Sequence, residues 1–130
     1  MAKPSQNFSI SKRLKSFKYA FEGLKYLIKH EHNTWIHLVA TILVIIFSIL
    51  FEISKLEWIA IALCVAMVWI TEGINTAIEK LCDMYSRDYN EQIKTVKDIT
   101  AAVVLIAATI AVCIAVIIFI PRILEMIKAV

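Results

Sequence analysis

Four polar residues recur within and just beyond an apolar stretch of this sequence: Glu72, Asn75, Glu79 and Asp83. At about 100° per residue they fall near roughly 0°, 300°, 340° and 20°, an arc of about 80°. Three acids and an amide thus share one helical face. A carboxylate inside an apolar span costs about 2.5 kcal/mol or more to insert, which makes Glu72 a functional candidate by default. It lies seven residues from Glu79, about 10 Å deeper at roughly 1.5 Å per residue. At that depth a base meets the polar end of a lipid and could take the proton of a lipid hydroxyl. An acid nearer the water suits a divalent cation instead. A polar contact between helices of an oligomer is the structural alternative for this group.

Further candidates stand at the same level. Lys97 and Asp98 directly precede a long apolar run, where a lysine can contact phosphate. Glu31, in His30-Glu31-His32-Asn33, precedes another such run. The structural alternative for these is a set of interfacial caps and snorkelling side chains. His30, His32 and His37 do not pair at a helical metal-ligand spacing, so a metal site built from them is not expected. Cys64, Cys82 and Cys113 form no C-x-x-C pair and read as small apolar residues inside helices. With only two glycines, Gly23 and Gly73, a Walker A loop and a G-x-G-x-x-G fingerprint are both impossible. Any nucleotide must therefore be held without a glycine-rich cradle.

The elements that must position these residues follow from composition. Of 130 residues, 60% are hydrophobic and 19% charged, against about 45–50% and about 25% in soluble domains. Glycine, proline and hairpin turns are scarce, so an all-α membrane protein is expected. Three transmembrane spans are placed at about 34–51, 58–78 and 99–120, the last with no charge at all. Eleven lysines and arginines lie before the first span or between the second and third, and three on the other side. The positive-inside rule then puts the N-terminus and the 80–98 loop in the cytoplasm and the C-terminus outside. The polar N-terminal segment is not read as a signal peptide. Instead Ile10, Leu14, Phe17, Phe21, Leu24 and Ile28 recur at steps of four and three, with lysines on the other faces. That pattern describes an amphipathic surface helix over about 9–30 lying in the membrane interface, or else one packed on a partner protein. Residues 1–130 read as a single domain.

One stretch carries a resemblance. Glu72-Gly-Ile-Asn75-Thr-Ala-Ile-Glu79, then Asp83, then Val96-Lys97-Asp98 followed by Ala101-Ala-Val-Val-Leu105, resembles the signature of the prokaryotic diacylglycerol kinase family. The pattern E-x-x-N-S/T-A-I-E with a downstream K-D-x-x-A/S-A-x-V-L is quite specific, and the likeness runs from about Lys12 through Phe119. It implies a small integral-membrane lipid kinase, assembled as a homotrimer, that moves the γ-phosphoryl group of ATP with Mg²⁺ onto a membrane alcohol. Glu72 would then be the general base, with Asn75 shaping the substrate site beside it. Glu31 and Glu79 would bind the nucleotide through the metal. Lys97 and Asp98 would contact ATP, with Lys12 and Tyr19 reaching it from the surface helix. The family often has Glu-Tyr-His in the cytoplasmic loop; Asp88-Tyr89-Asn90 stands there, and Asp88 and Tyr89 are expected near the nucleotide. Trp35-Ile-His37-Leu38 and Leu56-Glu-Trp58 look more like the undecaprenol kinase branch than the diacylglycerol-recycling one.

Physics and resemblance point to the same mechanism. Phosphoryl transfer needs positioning and charge neutralisation, which carboxylates, a metal ion and a lysine can supply without a glycine-rich loop. Three spans are too few to enclose ATP and a lipid headgroup, so sites shared between subunits are expected. Two readings of other classes compete: a small proton-coupled membrane transporter subunit with Glu72 as proton site, and a non-catalytic membrane scaffold. No nucleic-acid partner is expected.

Overall fold

A computed structural model describes residues 10–86 and 88–128, with the side chains of residues 11 and 12 outside that description. Every element in it is helical: α1 (Ile10–His30), α2 (His32–Leu50), α3 (Lys55–Tyr85) and α4 (Glu91–Lys128). The last three are long and apolar enough to cross a membrane. Large apolar side chains such as Leu50, Leu63, Leu105 and Ile117 are exposed along them, as expected where lipid is the solvent.

Two boundaries differ from the expected spans. α3 continues seven residues past Ile78, and α4 begins at Glu91 and runs on through Pro121. Charges mark where the hydrocarbon ends, whereas the helix stops only where its backbone loses partners. At the start of α4 that stop is Asn90, whose Oδ1 accepts from the N–H groups of Gln92 (2.9 Å) and Ile93 (3.2 Å).

The packing is that of two long helices with α2 laid against them. α3 and α4 share the most extensive contact, while α2 packs on α3 and α1 on α2 over smaller ones. The far end is fastened by a small core of Ile53, Ile61, Ile118 and Phe119. Phe47 and Phe51 lie 6.1 and 6.0 Å from the Phe119 ring. The α2–α3 turn closes there: Glu52 takes a left-handed φ of 47°, and Ile53 N–H donates to the Ser48 carbonyl at 3.2 Å. Ser54 then opens α3 with a reciprocal cap, in which its hydroxyl accepts from Glu57 N–H and Glu57 Oε2 accepts from Ser54 N–H.

Glu57 also ties α3 to α4, its Oε2 lying 2.8 Å from Arg122 Nη2. Glu57 precedes the charge-free run that starts at Trp58. The Arg122 guanidinium, with the Ser54 N–H and hydroxyl, holds its carboxyl down at about 2 from an ordinary 4.5. A depressed carboxyl contributes stability that is complete above the unfolded value of 4.5 and is lost as pH falls toward 2. Arg122→Gln is therefore expected to lower the melting temperature by a few degrees at neutral pH. It should also move the onset of acid unfolding to higher pH, both read by circular dichroism in detergent. The far end is thus fastened by packing, a cap and an ion pair, and the opposite end carries the acids.

Candidate active site

The α2–α3 seam is a ladder of polar rungs. Trp69 Nε1 donates to Thr41 Oγ1 at 3.1 Å, and this bond sets the antiparallel register of the two helices. One turn further toward the acidic end, His37 Nε2 stands 3.8 Å from Glu72 Oε2. The next turn of α2 carries Thr34, only 1% exposed, and the same register sets it level with Asn75 and Thr76. Last, Glu31 Oε1 meets Lys80 Nζ at 3.3 Å.

Each rung has a local cause. Glu31 occupies the break between α1 and α2, where its backbone turns extended (φ −108°, ψ 116°) and its side chain makes no capping bond. The carboxylate is thereby free to reach Lys80. Tyr26, a turn earlier on α1, lies beneath the same ammonium at 5.7 Å and stacks on His30 at 4.6 Å. The α3 face is the one its spacing implies: Glu72 is 3% exposed and Asn75 7%, with Glu79 half-buried a turn beyond. Asn75 Nδ2 donates to Glu79 Oε1 at 3.3 Å, which aims that carboxylate.

Three buried oxygens along this seam lack hydrogen bonds in the described structure: Asn75 Oδ1, Thr34 Oγ1 and Glu31 Oε1, the last with its ion pair to Lys80. Buried polar atoms left unpaired cost roughly 1–3 kcal/mol each, and they stay that way chiefly where a ligand completes them. The carboxylates of Glu31 and Glu79 are within electrostatic reach of Glu72, so negative charge accumulates here. Among the described residues no three His, Cys, Asp or Glu side chains converge as a closed metal cage.

A second cluster lies beside the first, at the α3–α4 junction. Lys97 Nζ donates to Asp83 Oδ1 at 2.6 Å and Lys94 Nζ to Asp98 Oδ2 at 2.6 Å. Lys97, ahead of the charge-free run of α4, is held above the ordinary lysine value by the Asp83 hydrogen bond, with Glu79 contributing. Glu79 thus links the two clusters. Asp83, Asp88, Tyr89, Asn90, Lys94 and Lys97 help line an open, polar cleft of about 520 Å³. Asp98 lines the same cleft, so the structure brings Asp88, Tyr89, Lys97 and Asp98 together.

Two other sequence candidates belong to α1. Tyr19 is 63% exposed on α1. Lys12 belongs to the first turn of α1, and its side chain falls outside the described residues. Sequence reasoning did not single out Thr34 or Lys80, and it set His37 aside. The available signal was that His37 alone interrupts an apolar run, three residues after Thr34 and four before Thr41.

Residues 18–119 match the family model described as prokaryotic diacylglycerol kinase. The chain belongs to that family. It is a lipid kinase, a phosphotransferase, and the matched region holds every residue of both clusters. The undecaprenol kinase of Bacillus subtilis (strain 168) is 32% identical over 113 residues, covering 87% of this chain and 92% of the relative. A diacylglycerol kinase of Synechocystis is 32% identical over 114 residues, covering 87% of this chain and 65% of its own length. The Escherichia coli (strain K12) diacylglycerol kinase is 28% identical over 99 residues, 76% of this chain and 81% of that one.

Proposed function

We propose that this lipid kinase transfers the γ-phosphoryl group of ATP, with Mg²⁺, to undecaprenol, giving undecaprenyl phosphate. The observation that carries the reading is the graded α3 face. Glu72 is buried within the apolar run, Asn75 Oδ1 lacks a partner above it, and Glu79 meets the water-side cluster. A membrane alcohol entering at the depth of Glu72 has that carboxylate beside it to accept its hydroxyl proton. The alcohol oxygen bonds to the γ-phosphorus, the bond to the ADP oxygen breaks, and the hydroxyl proton passes to the Glu72 carboxylate.

The water-side residues suit the other substrate. Mg²⁺ favours one or two carboxylates plus phosphate oxygens and water over a closed protein cage. Glu31 and Glu79 fit that donor set, and the metal bound there would neutralise charge on the phosphates. Lys97, Asp98, Asp88 and Tyr89 are assigned to the nucleotide, joined by Lys12 and Tyr19. Because Tyr19 stands exposed on α1, a neighbouring subunit of a homotrimer would complete each site. We place α1 in the membrane interface, supported by its exposed Leu14, Phe17 and Phe21. The N-terminus and both clusters then face the cytoplasm of a bacterial cell membrane, and the C-terminus lies outside.

Diacylglycerol is the alternative acceptor, favoured by the equal identity of the Synechocystis relative. Proton-coupled transport, by contrast, has no use for the α3–α4 cleft. In proteoliposomes, label from the ATP γ-phosphate is expected to appear on undecaprenol, with no proton flux when ATP is omitted. Flux without ATP, together with unlabelled lipid, would contradict the kinase assignment.

A further inference from the structure

His37 stands where the base is tuned. Its Nε2 faces Glu72 Oε2 at 3.8 Å, with the two side chains 16% and 5% exposed. The backbone around it is pinned: Thr41 Oγ1 donates to the His37 carbonyl at 2.7 Å while accepting from Trp69 Nε1. On its other side the imidazole lines a cavity of about 310 Å³, walled mostly by apolar residues such as Ile36, Ala40, Cys64, Val68 and Ala108. No strongly solvating group comes from that wall, so a charge on the ring is stabilised chiefly by the carboxylate.

Glu72 needs such a neighbour. It is buried, and both Glu79 on its own helix and Glu31 at the head of α2 lie within electrostatic reach. A carboxylate must be ionised to act as a base, and a buried charge needs a partner of opposite sign beside it. Lys80 lies 3.3 Å from Glu31, and Lys97 lies 2.6 Å from Asp83. The basic side chain placed against Glu72 itself is His37.

We propose that His37 is a positioning residue for Glu72. Its protonated imidazole pairs with Oε2 across the α2–α3 seam, keeps the carboxylate ionised, and leaves Oε1 for the acceptor alcohol. This rests on the assignment of Glu72 as base and adds the group that makes it one at neutral pH.

The test is a pH–rate profile of the full chain in undecaprenol-containing vesicles with saturating Mg²⁺. Near neutral pH, His37→Gln is expected to lower kcat about tenfold, with KM for ATP changed less than about twofold. Its acid limb moves to higher pH, and the rate returns toward that of the native enzyme in alkaline buffer. His37→Lys, which restores a cation without the ring, holds the limb near its native place and serves if the glutamine variant does not fold. A native profile in His37→Gln, an equal loss at every pH, or a displaced limb in His37→Lys would each overturn the proposal. Glu72→Gln in the same assay separates the two levels: activity there defeats the base assignment whatever His37 does.

Discussion

Glu72→Gln is expected to abolish phosphoryl transfer while leaving the protein as stable as before, or more so. General bases contribute about 10²–10⁴-fold, and the amide keeps the shape of the side chain while losing the ability to take a proton. The sign of the stability change is as informative as the loss of rate. Glu72 is 3% exposed within the apolar part of α3, and a buried charge there is costly. Removing it relieves that cost. An acid kept for function and one kept to hold helices together thus respond oppositely. A transfer assay paired with a melting curve reads both. Turnover within a few-fold of native sinks the base assignment, and a collapse of oligomer and melting temperature together points to the structural one.

The second large effect concerns the water-side acids. Glu31→Ala and Glu79→Ala are each expected to raise the Mg²⁺ needed for half-maximal rate by at least about tenfold at saturating ATP. The two losses arise differently. Glu79 is aimed by Asn75 Nδ2 at 3.3 Å, so its removal also frees the amide beside the acceptor site and should lower kcat further. Glu31 is held by Lys80 at 3.3 Å, and without it that ammonium would be free to pair with phosphate of a bound nucleotide. Glu31→Ala should therefore show the weaker effect on kcat. An unchanged Mg²⁺ titration in both variants would make them structural acids.

How much of this was written in the sequence depends on whether a feature lies on one helix or between two. Glu72, Asn75 and Glu79 share a face because the spacing alone puts them there, and the described structure has them on that face with the deepest one buried. The three apolar helices were legible for the same reason, since each charge-free run is itself the signal. Their ends were not. α3 reaches Tyr85 and α4 starts at Glu91 because solvated helix costs little and Asn90 supplies the cap. Residues that face one another across helices were hidden as well. The meeting of His37 with Glu72 depends on a register set by the Trp69–Thr41 bond, 28 residues apart. Periodicity carries no information about such a match. The pairing of Lys97 with Asp83 depends likewise on how α3 and α4 dock.

The most direct measurement offers undecaprenol and diacylglycerol side by side, at equal mole fraction in the same vesicles, with labelled ATP and Mg²⁺. The expected result is faster labelling of undecaprenol, dependent on Mg²⁺ and lost in Glu72→Gln. Faster labelling of diacylglycerol, or label on neither lipid, would contradict it.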